Sequence, residues 1–332
     1  MRHCIEHVQG AERISNWSIR FESKIFFLMS LTHHLIGLLG RQILSTLTKA
    51  GLRCHGLVFS RVSPGLTSLD LNDGPATKAF IISQSPTHII HAAAQRFPDK
   101  VEADPEAAVR LNVESSKNIA LACKVQNFIL LQNTTVYLTL QDVGARMIYI
   151  STDYVFDGSH PPYFPDNKPN PLNRYGETKL AGERAVLSVE ENFLVLRIPV
   201  LYGGVTTLGE SAMTVLLDVI RKKVPVKMSS YEVRCPSHTR DVARILLDIL
   251  RQEPTGGVYH WCGRDKLSKW EMCQIISEEF SLDISHVEEV KGGDATPRPR
   301  DVELDRTKLE RLGISHHTDF KNGMLEELRR FL

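Results

Sequence analysis

A chain of 332 residues, 42% of them hydrophobic, is long enough to bury a full core as one large domain or two. Its 40 basic residues nearly cancel its 39 acidic ones, leaving a formal charge of +1. No overall field therefore draws nucleic acid or an acidic membrane surface. The six cysteines, Cys4, Cys54, Cys123, Cys235, Cys262 and Cys273, form no C-x-x-C pair and no His/Cys cluster at metal-ligand spacing. That argues against a structural metal and fits reduced thiols in a cytoplasmic protein.

Residues 1–22 have no clear period and read as an irregular leader. The apolar stretch from Ile25 to Leu39 is interrupted by Ser30, Thr32, His33 and His34 and is shorter than the roughly 20 residues of a membrane span. A buried strand and turn is the expectation, with IFFLMSL at 25–31 as the strand. After Gly40, the residues Ile43, Leu44, Leu47 and Ala50 recur at helical spacing until Gly51. Strands are predicted at Cys54–Phe59 and Thr87–Ala92. Asp73 with Pro75 opens a helix, and Asp104 with Pro105 opens another that runs to about Lys124. The strand Met147–Ser151, a helix over about Leu172–Leu187 and the strand Phe193–Ile198 continue the alternation.

This alternation predicts an α/β fold, a doubly wound parallel sheet of Rossmann type over residues 23–200, with any ligand site at the carboxyl ends of its strands. Gln126–Asp142 has no helical period where a short loop belongs, and reads as an inserted surface hairpin. Residues 201–332 predict a smaller lobe interleaved with the sheet, with helices over Ser211–Lys223 and Asp241–Gln252 and one begun by a Ser268/Glu271 capping box.

The strongest chemical signal is Tyr175-Gly-Glu-Thr-Lys179, because a spacing of four puts phenol and ammonium on one helix face. A nearby lysine cation favours phenolate, so the spacing predicts a tyrosine shifted toward the working pH and able to exchange a proton with a carbonyl. Upstream, Tyr149-Ile-Ser-Thr-Asp-Tyr-Val-Phe-Asp-Gly158 ends a strand with Ser151, Thr152 and Asp153 at the expected cleft, where a hydroxyl can hold a carbonyl.

Together YISTDYVFDG, PLNRYGETKLAGE and RIPVLYG resemble the extended short-chain dehydrogenase/reductase family, in its dTDP-4-dehydrorhamnose reductase branch. The resemblance runs from about Leu31 to Leu325 and implies a catalytic triad of Thr152, Tyr175 and Lys179 beside a nicotinamide cofactor. HAAAQRFPD, PSHTRDVA, GVYHWCG and RPRDVELDRTKLERLGI are similar to a finer group, the regulatory beta subunits of methionine adenosyltransferase. That likeness implies a methionine adenosyltransferase catalytic subunit as partner, modulation of S-adenosylmethionine synthesis, and a triad that touches cofactor without turning over substrate. The competing reading is an enzyme, an NADPH-dependent reductase of a nucleotide-linked keto-sugar.

The same resemblance implies NADP contacts at Gly37, Leu38, Gly40, Arg61, Asp70, Leu71, Ala92, Ala93, Ala94, Asn112, Tyr175, Lys179 and Arg298. The family's glycine turn, G-x-x-G-x-x-G, is occupied here by His34, Gly37 and Gly40. A side chain at position 34 where the turn favours φ > 0 costs roughly 1 kcal/mol, which predicts weakened cofactor binding. Arg61 is placed to pair with the 2′-phosphate, Asp70 to approach the adenine, and Asn112 to serve a structural role. Arg298, with Arg300, lies on a loop that in reductases faces substrate phosphate. His238, His260, His316 and His317 lack mutual metal spacing and read as packing or surface residues. The ending Arg329-Arg330-Phe331-Leu332 is shorter than the resemblance implies, which predicts a weaker partner contact.

Overall fold

The computed structural model of the chain describes residues 24–28, 37–59, 66–124, 127–128, 139–140, 144–292 and 296–332. Among these, seven parallel strands form the central sheet: β1 (Lys24–Leu28), β2 (Arg53–Val58), β3 (Leu66–Ser68), β4 (His88–His91), β5 (Arg146–Thr152), β6 (Leu194–Ile198) and β7 (Gly257–His260). Their order is β7-β6-β5-β4-β1-β2-β3. The winding reverses between β1 and β4, where a doubly wound sheet opens its ligand crevice. Strands covered on both faces need near-continuous apolar runs, and RMIYIST of β5 and LVLRI of β6 are buried along almost their whole length.

The helices on the described residues that matter here are α1 (Leu38–Lys49), α2 (Gly74–Gln84), α3 (Pro98–Ala103), α4 (Pro105–Val109), α5 (Ser115–Cys123), α6 (Arg174–Val189), α7 (Val215–Lys222), α8 (Thr239–Gln252) and α9 (Lys269–Phe280). One sheet face is covered by α1 and α8, whose Leu39, Ile43 and Leu47 join one core with Val242, Ile245, Leu246 and Ile249. The other face is covered by α2, α5 and α6, with Ile81, Ile119 and Val186 packed against Met147 and Tyr149 of β5. Residues beyond 200 therefore supply both an edge strand and a covering helix. A separate apolar cluster joins α7, α9 and the helix Phe320–Leu328.

The expected doubly wound α/β sheet is present, and the Ser268/Glu271 capping box forms as predicted. Four features differ from the sequence reading. The helix expected from Asp104 to about Lys124 passes through a π-helical turn at Arg110–Glu114, which lies between α4 and α5 and carries Asn112. The short strand β3 and the helix α3 were not anticipated. Nor was β7, because four residues after a long excursion give too little periodicity to read. Asn127–Phe128 pairs antiparallel with Thr139–Leu140, in line with the expected hairpin. Among the described residues no helix is long and apolar enough to cross a membrane.

Candidate functional site

Strand β5 ends at Thr152 on the carboxyl edge of the sheet, and α6 begins beside it. Asn173 caps α6 by accepting a hydrogen bond from Gly176 N at 3.0 Å, while its amide donates to Pro297 O at 2.9 Å, tying the helix start to the C-terminal half. The close approach requires glycine at 176, where an added Cβ would lie 2.2 Å from Tyr154 O.

The arrangement brings the three residues of the expected triad to one corner: Tyr154 donates its backbone N–H to Thr152 Oγ1 at 3.2 Å and meets the Tyr175 ring, and Lys179 lies one turn along α6. The electrostatics run against expectation. The sequence predicts a phenol lowered by the lysine. Instead, burial pushes the Tyr175 phenol above its ordinary value, with Thr152 opposing and Asp153 adding to the rise. The Lys179 ammonium, 3% exposed, donates instead to Tyr149 OH and to Ile150 O, each at 2.8 Å, and lies 4.0 Å from the Tyr149 ring centroid. Burial pulls Lys179 down to about 7, against the attraction of Glu183.

A lysine whose folded value is lowered disfavours its own charged form, so its contribution to stability improves as pH rises from about 7 toward the ordinary lysine range. We predict that Lys179→Met flattens this part of the curve. The check is the urea midpoint of both proteins between pH 7 and 9, and parallel curves would contradict the assignment.

Tyr149, which the sequence reading did not single out, organises this corner. Its hydroxyl accepts from Lys179 and donates to Asn112 O at 3.3 Å. Period-two alternation along β5 already places Tyr149 with Ser151 on the α6 face, which was the available signal. Asn112, fully buried, accepts from Gln95 N at 2.8 Å and donates to Thr178 Oγ1 at 3.0 Å, so the π-helical turn joins the loop after β4 to α6. Asp153 is 1% exposed, accepts from Thr152 Oγ1 at 3.1 Å, and is pushed up to about 6 by burial, with Arg234 opposing. Arg234 lies 5.3 Å from the Tyr154 ring centroid and donates to Pro299 O at 2.9 Å; Tyr154 meets Tyr175 edge-on at 5.6 Å. An open groove of about 360 Å³ beside the start of α6 is lined by Glu102, Asn173, Arg174, Glu177, Thr296 and Pro297.

On the dinucleotide side, Gly37 directly precedes α1, and Leu38 and Gly40 are buried in its first turn. The N-cap is a glycine, so among the described residues no side-chain acceptor caps the first amides of the helix, as a phosphate-binding turn needs. His34 and Arg61 lie outside the described residues. Ala93 is buried and Ala92 and Ala94 half-buried at the end of β4. Leu71 is buried, whereas Asp70 is exposed and its carboxylate accepts from Asn72 N at 2.9 Å. Two arginines not anticipated converge here: Arg41 of α1 pairs with Glu210 and donates to Gly204 O at 3.0 Å, and Arg96 donates to Glu210 O at 3.2 Å.

Arg298, expected on a phosphate-facing loop, lies against the Asp99 carboxylate at 3.4 Å, with Thr296 donating to the same group at 2.9 Å. His260 packs in the core between Tyr163 O at 3.0 Å and Arg197, and His316 pairs with Asp248 at 2.7 Å. Among the described residues no cluster of His, Cys, Asp or Glu could hold a metal ion.

The sequence matches the RmlD substrate binding domain over residues 35–139 and 138–332. It is 41% identical over 303 residues to methionine adenosyltransferase 2 subunit beta of Xenopus tropicalis, covering 89% of this chain and 86% of that one. The chain belongs to this beta-subunit group of the RmlD family. The Pongo abelii beta subunit is 36% identical over 335 residues, covering 99% of this chain and 94% of its own. Among solved structures, dTDP-4-dehydrorhamnose reductase from Bacillus anthracis in complex with NADP superposes with a TM-score of 0.76 at 20% identity, covering 94% of this chain and 100% of that one. That likeness supports the fold described above.

Proposed function

We propose that this chain is a regulatory subunit that binds a methionine adenosyltransferase catalytic subunit and modulates S-adenosylmethionine synthesis, with NADP as its ligand. The observation that carries the proposal is the 41% identity over most of the chain to proteins of that name. The start of α1 at Gly37, the small residues Ala92–Ala94 and the α6 face with Tyr175 and Lys179 fit a dinucleotide lying across the sheet's carboxyl edge. We assign the dinucleotide-binding role to Gly37, Leu38, Gly40, Ala92–Ala94, Asn112, Tyr175 and Lys179, and keep Arg61 and Asp70 for its adenosine half. A ligand of this kind regulates a partner only through its differential affinity for the conformers that bind it. We also propose a division near residue 200 between the dinucleotide-binding part and the smaller C-terminal part, and a cytoplasmic location.

A second reading, a keto-sugar reductase, is favoured by one observation: Thr152 at the end of β5 and Tyr175 and Lys179 at the start of α6 stand at one corner beside the candidate cleft. A bound nicotinamide would supply hydride. On that reading Thr152 orients the carbonyl and Tyr175 gives its proton to the carbonyl oxygen. The raised phenol value keeps that proton in place at neutral pH, which suits a ligand contact at least as well as turnover.

The test is size-exclusion chromatography of the mixture with a methionine adenosyltransferase catalytic subunit. Co-elution as one larger species is the expected result. Separate elution, with NADPH consumed on addition of dTDP-4-dehydrorhamnose, would replace the regulatory reading with the reductase one.

A further inference from the structure

Cys235 and Cys262 are both free and buried, 2% and 0% exposed, on adjoining stretches of chain. The backbones that carry them are joined, since Gly263 N donates to Cys235 O at 3.3 Å. The two thiols share one small cluster with Val155, Phe156, Leu180 and Leu304. Burial of a thiol as a small hydrophobe is common and by itself implies nothing.

A cation on the sulfur sets this pair apart. Arg306 Nη1 donates to Cys262 Sγ at 3.2 Å, and the Cys262 thiol in turn donates to Leu304 O at 3.2 Å. The guanidinium favours the thiolate of Cys262, and the Arg306 side chain, 21% exposed, links that sulfur to the surface. The neighbouring Cys235 and then Arg306 pull Cys262 below its ordinary value, whereas the neighbouring Cys262 and burial push Cys235 up. One sulfur is thus prepared as nucleophile and the other as the resolving thiol. The remaining described cysteines lack this environment: burial pushes Cys54 up to about 11 and Cys273 up to about 12, and raises Cys123 as well.

We propose that Cys235 and Cys262 form a redox modification site, a dithiol that a small peroxide converts to a disulfide. The Cys262 thiolate attacks one peroxide oxygen and the O–O bond breaks. The departing hydroxide leaves as water with a proton from solvent, and Cys262 becomes a sulfenic acid. The Cys235 sulfur then attacks the Cys262 sulfur, and the sulfenic hydroxide departs as water with the Cys235 proton. Each sulfur gives up one electron and hydrogen peroxide is reduced to two waters. The bond would form directly beside Arg234, which holds Tyr154 and the Pro299 carbonyl at the candidate site.

The experiment treats the full chain with limiting hydrogen peroxide, alkylates the remaining thiols after denaturation, and maps the peptides by mass spectrometry. The expected result is a peptide pair joined through Cys235 and Cys262, restored by dithiothreitol, while Cys54, Cys123 and Cys273 are still alkylated. Cys235→Ser should instead accumulate a dimedone-reactive sulfenic acid on Cys262, and Arg306→Met should slow the oxidation about ten-fold. If both cysteines are alkylated as free thiols after treatment, or if Arg306→Met reacts as fast as the parent, the proposal is overturned.

Discussion

Glu183→Ala is expected to lower the unfolding free energy by about 3–5 kcal/mol, the range found when one partner of a buried ion pair is removed. Glu183 of α6 and Arg197 of β6 are 2% and 3% exposed and meet through two parallel hydrogen bonds of 2.9 and 2.7 Å. Ser151 also donates to the carboxylate, and Arg197 faces His260 Nε2 at 3.2 Å. Burial first, and then the guanidinium, pull His260 down to about 3, so the imidazole is neutral and cannot compensate for a lost carboxylate. The substitution therefore leaves a guanidinium with no counter-charge inside the core. It also removes the attraction that holds Lys179 up, so the site and the core lose a common support. Urea unfolding at neutral pH measures the effect, and a loss below about 1 kcal/mol would show that the pair is dispensable.

Gly182→Ala is expected to cost about 2–4 kcal/mol through overpacking, and to weaken NADP binding as well. An added Cβ would lie 2.3 Å from Tyr149 OH and 2.4 Å from Asn112 O, distances that real side chains do not tolerate. Tyr149 must then move, and Tyr149 is the group that receives Lys179. Gly209→Ala serves as the control, because nothing lies within 4 Å of its added Cβ. Thermal unfolding and calorimetric titration with NADP should separate the two variants clearly; equal behaviour would contradict the packing argument.

Much of this architecture is legible in the residues. Strands such as LVLRI announce themselves because a covered parallel sheet permits few polar positions, and Asp104 opens its helix with Pro105 because proline at the first helical position loses no hydrogen bond. The Tyr175 and Lys179 pair is readable from helical spacing alone. The direction of their shifts is not, because burial sets it, and that burial, like the contact of Lys179 with Tyr149 30 residues away, exists only after β5 and α6 pack. For the same reason Arg41 and Arg96 show no sign in sequence that both reach Glu210, 169 and 114 residues distant. Strand β7 was missed because its pairing with β6 gives it a place that four residues cannot advertise locally. Arg298 was legible as a loop arginine, whereas its partner Asp99 follows only from the fold.

The central claim, a regulatory subunit, is tested most directly by the rate of S-adenosylmethionine formation. That rate would be measured for a methionine adenosyltransferase catalytic subunit over a range of methionine concentrations, with and without this protein and NADP. The expected result is a changed rate or methionine dependence on adding the chain, with a further change when NADP is present. An unchanged curve, with the two chains migrating separately, would contradict it.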